Sequence, residues 1–464
     1  MPSTETPTTT RKTGLLINRN FALLWAGQSI SFIGDALLDF TLALWLAFDL
    51  GRGQSWAPLA VSGVLLSASL GSLLIGPIAG VFVDRWDKRR TMLRFIAVQG
   101  VLTAALLVIA NLVPLPFFAG GHPPLVAQLV MVYAVVFLVN GSAQFTRPSR
   151  TALVGDLVAQ ADLPQASGLI ETMANLSLMV GFGIAPLLFV PFGIGFALIA
   201  DALSFAIAFK AIQGVKAPPA AQSVKRGERG ALRREFITGV RFAIANRIIR
   251  TLLITYTIVL FGSGAVNALL VFFLTQNLHA PPEAIGVFPV ILGLGLVIGS
   301  ILGGTLAKRI GVIRTFWLSM LLIGVAAIAL SRQTTLLPGT ILGFLLGVPN
   351  GAMNVALMPL VLYATPRALV GRVMAVLEPA MMTAQITSVA VFGTLASTVF
   401  HGFHLDVWGQ TFGTYDLLIL LPGVLCLLAG TIAFLSLRHV RITPDAVGAS
   451  AEAEAMPPPE EVLA

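Results

Sequence analysis

Twelve long apolar stretches, each with few charged residues, constrain the fold of this chain more than any other feature. A helix needs roughly 20 residues to cross a bilayer, and a backbone in lipid must satisfy its polar groups within the segment. Of the 464 residues, 56% are hydrophobic and only 11% are charged, whereas a soluble domain carries about 25% charged residues. The sequence therefore predicts an all-α polytopic membrane protein with twelve transmembrane helices. The stretches lie at about 21–49, 57–83, 92–113, 125–145, 166–189, 191–213, 248–276, 284–307, 315–331, 335–363, 372–400 and 413–437.

Lysines and arginines are concentrated in alternate loops between these stretches. With a cytoplasmic N-terminus, all of the 29 basic residues except Arg52 and Arg332 fall in cytoplasmic segments. Such an excess is typical of the cytoplasmic side of membrane proteins, so the net charge of +8 indicates topology and not a nucleic-acid partner. We expect a multi-pass protein of the cell membrane with both termini in the cytoplasm.

The longest internal loop separates six apolar stretches from the other six. Its basic residues are interspersed with Phe236, Val240 and Ile244 at helical spacing, which predicts a linker helix resting on anionic headgroups. A site for a regulatory partner is the alternative. The resulting organisation is a cytoplasmic tail at 1–20, a six-helix lobe at 21–213, a cytoplasmic linker at 214–247, a second six-helix lobe at 248–437 and a disordered cytoplasmic tail at 438–464.

A short loop sequence occurs once in each half of the chain. Segment 80–90 (GVFVDRWDKRR) follows the second stretch, and segment 304–314 (GTLAKRIGVIR) follows the eighth, at an offset of 224 residues. Two six-helix halves with a repeated loop between their second and third helices predict a two-lobed transporter.

The loop at 80–90 resembles the signature loop of the major facilitator superfamily. Asp87 stands where many members have glycine, which is similar to the branch that contains enterobactin exporters and macrolide efflux proteins. Segments 18–35 and 147–166 also resemble that branch. The resemblance implies a monomeric carrier that works by alternating access, and a loop that helps to latch the two lobes in the outward-facing state. The residues that resemble this signature loop are Gly80, Asp84, Arg85, Lys88 and Arg89.

Acidic residues inside the predicted spans are candidates for proton coupling, because charges at the bilayer centre are costly. Asp35 and Asp39 lie one helical turn apart in the first span, and no lysine or arginine is expected at mid-span to neutralise them. Two neighbouring acids without basic partners favour a shared, exchangeable proton. We predict that Asp35 carries the proton, or senses a cation, with Asp39 in support. The alternative is that one of them caps a discontinuity near Gly34 or bonds to a neighbouring helix.

Two glutamates near span ends are further coupling candidates. Glu171 could gate the cytoplasmic mouth, or it could pair with Arg147 or Arg150 at the interface. Glu378 occupies a similar place in the eleventh span and could pair with an arginine of the signature loop. Asp201, in the sixth span, is expected to make a structural hydrogen bond. The fourth span, as predicted, lacks the arginine that efflux members often carry there.

The leading function predicted from these features is proton-coupled efflux of a small amphipathic compound such as a drug, a macrolide or a siderophore-like molecule. Uptake or facilitated exchange of a metabolite is one alternative. A receptor or lipid-handling protein without solute flux is another. The sequence shows no strong metal-ligand set, phosphate-binding loop or catalytic triad, so we expect neither a metal, nor a cofactor, nor an enzyme. Polar residues predicted to line a substrate cavity are Gln28, Asn140, Gln144, Tyr256, Asn267, Asn350 and Asn354.

Overall fold

The computed structural model describes residues 17–83, 86–110, 123–216, 231–400, 402–407, 410–438 and 440. Over this part of the chain the predicted helical membrane architecture is confirmed, with eleven helices long and apolar enough to cross a bilayer. These residues divide into two compact units. One unit contains the described residues up to Lys216 together with Pro281–Gly286, and the other contains the remainder from Ala231 onward.

The first unit is built from five helices. Helix α1 continues into a π-helical turn at Leu46–Leu50, and its contacts with α5 are the most extensive in the unit. Phe21, Leu24 and Met92 are among the fully buried side chains that form the apolar core near the start of α1. The helices are α1 Arg19–Trp45, α2 Ala57–Val83, α3 Lys88–Ile109, α4 Leu125–Leu157 and α5 Leu163–Gln213.

The second unit contains seven helices and a small hairpin. The hairpin pairs β1, His404–Val407, with β2, Gln410–Gly413, in antiparallel register, so the all-α prediction missed one short element before α12. Phe316 and Met320 of α9 are fully buried in the main core of this unit. The helices are α6 Ala231–Ala245, α7 Arg247–Phe272, α8 Val287–Ile310, α9 Val312–Ser331, α10 Leu336–Ala364, α11 Arg367–Ser397 and α12 Thr414–Leu437.

Helix α6 coincides with the predicted linker helix. It packs against α11, where a Cβ added at Gly239 would lie 2.3 Å from the carbonyl oxygen of Arg372. The next residue after α6, Asn246, caps α7 by accepting hydrogen bonds from two backbone amides and donates to the carbonyl of Ala364. The helical prediction is confirmed, while contact of α6 with lipid headgroups remains a prediction.

Helix α4 is longer than the sequence predicted. The fourth apolar stretch was expected to end at 145, yet the helix continues through Pro148 to Leu157. The predicted loop between the fourth and fifth spans is therefore helical over its first twelve residues. Hydropathy places the boundary too early because Arg147 and Arg150 are charged, and a charged side chain that faces a cavity does not interrupt a helix.

Helix α5 runs for 51 residues and contains the fifth and sixth predicted stretches. Gly193 has φ 63° and ψ −166° and divides it into two helical segments across a kink. This backbone conformation is essentially restricted to glycine. The predicted division between the two stretches lies within three residues of this glycine, so the sequence located the break well.

Gly193→Ala is expected to destabilise the protein by about 1–3 kcal/mol, the cost of forcing an L-residue into this backbone region. A Cβ at Gly193 would meet nothing within 4 Å, so the effect isolates backbone strain from crowding. The thermal unfolding midpoint of the purified protein in detergent measures it. Gly168→Ala is the matched control, because Gly168 lies in the same helix, also has open space and should tolerate alanine. Equal midpoints for the two variants would contradict the assignment of strain to Gly193.

Candidate functional site

A cavity of about 360 Å³ lies within the first unit, between α1, α3, α4 and α5. Its volume falls in the range of small-molecule sites, roughly 300–1,000 Å³. Apolar side chains such as Phe32 and Phe205 form part of its wall. The polar and charged residues that line it are Gln28, Ser31, Asp35, Asp39, Gln99, Thr146, Arg147 and Arg150.

Close packing of α1 on α5 brings the first acid to this cavity. A Cβ at Gly34 would lie 2.4 Å from Ser204 Oγ and 2.6 Å from Asp201 Oδ1, so only glycine allows this approach. Helix α1 is continuous through Gly34, and the alternative of an acid capping a break at this point is therefore wrong. Asp35, the next residue, lines the cavity.

Asp35 and Asp39 both line the cavity, as their i, i+4 spacing predicted. Asp35 is half-buried and Asp39 is exposed. Neither carboxylate makes a hydrogen bond or an ion pair with any residue that the structure describes. The charges of Asp39, Asp201, Arg147 and Arg150 nevertheless act on Asp35. Asp39 in turn interacts with the charges of Arg147, Asp35 and Asp201. The two acids and the two bases therefore line one cavity.

Arg147 and Arg150 are the functional candidates that sequence reasoning missed. Both residues lie beyond the predicted end of the fourth span, and the extension of α4 carries them to the cavity. Arg150 Nη1 donates to Gln28 Oε1 at 3.1 Å, and its guanidinium carbon lies 4.8 Å from the centre of the Phe32 ring. The signal in the sequence is the series Ala143, Arg147 and Arg150, whose helical spacing continues past the apolar stretch.

Asp201 has the structural role that the sequence predicted. Its side chain is 1% exposed and accepts hydrogen bonds from Thr103 Oγ1 at 3.3 Å and from Ser204 Oγ at 3.2 Å. Because Thr103 belongs to α3 and Ser204 to α5, the carboxylate joins the two helices. These bonds satisfy a buried polar group that would otherwise be costly.

The two candidate glutamates lie away from the cavity. Glu171 is exposed, lies one turn before the cavity residue Ala174 on α5 and accepts a bond from Asn175 Nδ2 at 3.4 Å. Its charge acts on Arg150, but the described residues show no ion pair between Glu171 and either arginine, so the predicted pairing is absent. Glu378 is exposed on α11 of the second unit and makes no hydrogen bond or ion pair in the part described. Their roles in coupling stay predictions.

Two bases of the predicted signature loop are anchored inside the first unit. Lys88 Nζ pairs with Asp156 Oδ2 at 2.8 Å, which ties the start of α3 to the end of α4. Arg89 donates to the carbonyls of Ile212 and Gln213 at 3.2 and 2.5 Å. It thereby binds two carbonyls at the C-terminal end of α5, where a helix lacks further backbone donors of its own.

Other members of the signature segment have local roles or lie outside the description. Asp87 accepts from Arg90 N at 2.7 Å and caps α3, which gives a physical reason for an acid where glycine is common in the resembled family. Gly80 has open space around it. Asp84 and Arg85 lie outside the described residues.

Of the amide and phenol residues predicted to line a cavity, Gln28 alone belongs to the one described here. In the first unit, Asn140 Nδ2 donates to Val136 O of its own helix, and Gln144 Nε2 donates to Ser72 Oγ at 2.9 Å, joining α4 to α2.

The second unit holds the other four predicted lining residues. Tyr256 Oη donates to Asn354 Oδ1 at 2.9 Å, and Asn354 Nδ2 contacts Asn350 Oδ1 at 3.4 Å. This chain of bonds links α7 to α10. Asn267 is exposed on α7. Their part in binding a substrate stays a prediction.

Comparison with known proteins identifies the family of this chain. A family model described as "Transmembrane secretion effector" matches residues 13–434. The MFS-type transporter YkuC of Bacillus subtilis is 24% identical over 391 residues, which cover 82% of this chain and 86% of that protein. Macrolide efflux protein A of Streptococcus pyogenes is 24% identical over 284 residues, which cover 61% of this chain and 66% of that protein.

Solved structures agree on the fold. The inward-facing crystal structure of a bacterial homologue of the iron transporter ferroportin has a TM-score of 0.67 and 15% identity, and the match covers 90% of this chain and 98% of that one. At this identity the similarity concerns the arrangement of helices alone.

Proposed function

The chain belongs to the transmembrane secretion effector family of major facilitator transporters, and from that membership we propose that it exports a small amphipathic compound in exchange for protons. One structural observation supports the proposal of proton coupling. Asp35 and Asp39 line the same cavity as Arg147 and Arg150, and neither acid is paired within the described part of the chain. The export direction is supported by the efflux relative of Streptococcus pyogenes.

Coupling follows from the charge balance of the cavity. With both acids ionised, the two carboxylates and the two guanidinium groups of the lining cancel. Protonation of Asp35 leaves the lining with a net positive charge, which disfavours a ligand group that is positively charged. A proton and such a group therefore exclude one another, and binding of one promotes release of the other. This mutual exclusion is the requirement for antiport.

Alternating access supplies the direction of movement in this proposal. We place both termini in the cytoplasm, as the distribution of basic residues indicates, and the protein in the cell membrane. Entry of a proton from outside onto Asp35 then favours release of the exported compound on that side. Rocking of two six-helix lobes around a midplane site is the corresponding motion.

Inverted membrane vesicles containing the protein test this function, since export appears there as accumulation inside the vesicle. A gradient with the interior acidic is imposed, and uptake of ethidium, a macrolide and the dipeptide leucyl-phenylalanine is followed. We expect accumulation of at least one compound that disappears when a protonophore collapses the gradient. Vesicles without the protein are the control.

Three outcomes would contradict the proposal in different ways. Accumulation that is unchanged after the gradient collapses would indicate a facilitator. Movement of substrate out of these vesicles along with protons would indicate an importer. Binding of a compound without any flux would favour a receptor.

A further inference from the structure

We infer that the cavity of the first unit binds the charged end of a zwitterion, with the ligand's ammonium group at Asp39 and its carboxylate or phosphate group at Arg147. This inference rests on the proposed function and names the substrate class for the same site. It departs from the lipophilic cations with which multidrug exporters are commonly assayed.

The first argument is the state of the four charged side chains. Arg150 is already held by Gln28 and by the Phe32 ring, and Asp35 is half-buried. Asp39 and Arg147, by contrast, are both exposed and both line the cavity. Neither side chain makes a hydrogen bond or an ion pair with a residue that the structure describes.

The second argument is the spacing of the two free charges. Arg147 is close enough for its charge to act on Asp39, yet their nitrogen and oxygen atoms are farther apart than the 4.0 Å of an ion pair. Opposite charges that face one another across a cavity without meeting can be bridged by a group that carries both signs. Each end of such a group gains a charge-assisted hydrogen bond, which is roughly twice as strong as a neutral one.

The third argument is discrimination against ligands of a single charge. A cation at Asp39 would approach the guanidinium groups of Arg147 and Arg150, and an anion at Arg147 would approach the two carboxylates. Placing like charges together is strongly unfavourable at protein interfaces. The lining therefore attracts both ends of a zwitterion and repels ligands that carry a single charge. Specific sites commonly combine such attraction with repulsion of competitors.

The fourth argument concerns the rest of the ligand. Apolar side chains cover the parts of the wall between the charged groups, among them Phe32, Ile96, Leu178 and Phe205. A cavity of about 360 Å³ can hold a small molecule but not a long chain. The preferred substrate class is accordingly a compact zwitterion with an apolar body, such as a dipeptide with apolar side chains.

A matched series of three ligands tests the inference by calorimetric titration of the full chain in lipid nanodiscs. The series is leucyl-phenylalanine, its C-terminal amide and its N-acetyl derivative, which share their side chains and differ in charge as zwitterion, cation and anion. We expect the wild-type protein to bind the zwitterion at least tenfold more tightly than either of the other two.

Two variants make the test reciprocal. In Asp39→Asn the affinity for the zwitterion should fall about tenfold, and the anion should bind better than the cation. In Arg147→Gln the zwitterion should lose a similar factor, and the cation should bind better than the anion. Asp49→Asn and Arg52→Gln serve as controls, because both residues are exposed outside the cavity of the same unit, and neither should change the ranking.

Similar affinities for all three ligands, the same ranking in both variants, or no binding of any ligand to the wild-type protein would overturn the inference. These outcomes are separable from failure of the proposed function. Gradient-driven export of ethidium without binding of the dipeptide would leave proton-coupled export standing and reject the zwitterion. Reciprocal binding by the two variants without flux in vesicles would leave the zwitterion site standing and reject proton-coupled export.

Discussion

Asp35→Asn is expected to reduce gradient-driven accumulation in inverted vesicles to the level of vesicles that lack the protein. Asparagine has nearly the same shape as aspartate and lines the same cavity, but it cannot exchange a proton near neutral pH. Because Asp35 makes no hydrogen bond within the described part of the chain, the substitution removes a titrating group without leaving a buried partner unsatisfied. The variant should therefore fold and lose the link to the gradient, and because asparagine resembles the protonated acid it should bind substrate more weakly than the wild-type protein does.

Exchange of labelled for unlabelled substrate separates loss of coupling from loss of the protein. Such exchange requires binding and alternating access but no net proton movement, so Asp35→Asn should retain it at saturating substrate. Asp49→Asn, an exposed acid beyond the end of α1, is the matched control and should accumulate substrate normally. Equal accumulation by Asp35→Asn and wild type would remove Asp35 from coupling and transfer the role to Asp39 or Glu171.

Much of the fold could be predicted from the sequence because a lipid bilayer permits few backbone conformations. An apolar stretch of spanning length must be helical in a bilayer, and α2 begins and ends where its stretch does. Hydropathy fails where a helix faces a cavity and not lipid, as at Arg147 and Arg150. There the helix continues although the hydrophobic stretch has ended, and the boundary of α4 moves by twelve residues.

The site was predictable in part for the same reason. The spacing of Asp35 and Asp39 on one helix fixes their common face, and the structure places both at one cavity. Spacing along one helix does not predict which residue of another helix a single polar side chain will contact. Gln144 was expected at a cavity but bonds to Ser72 on α2, and its neighbour in space is separated from it by 72 positions in sequence. Prediction of those contacts requires the packing of helices, which one sequence does not encode in its periodicity.

Arg150→Gln is expected to lower the rate of export at least tenfold. The guanidinium donates to Gln28 at 3.1 Å and lies over Phe32 at 4.8 Å, and its charge acts on Asp35. A hydrogen bond to a charged group contributes about 1.5–3 kcal/mol, and a cation–π contact contributes about 0.5–2 kcal/mol. Loss of both would leave Gln28 without its partner and Asp35 without one of its two nearby bases.

A graded set of substitutions distinguishes the charge of Arg150 from its packing. Arg150→Lys retains the charge but loses the planar fork that contacts both neighbours, so its export rate should lie between those of wild type and Arg150→Gln. Phe32→Leu removes only the ring beneath the guanidinium and should cost less than the loss of the charge. Initial export rates at equal expression give this order, with Arg52→Gln as the control for a base outside the cavity. If Arg150→Lys were as defective as Arg150→Gln, Arg150 would contribute through its geometry and not through its charge. The positive charge needed for proton coupling would then have to come from Arg147 alone.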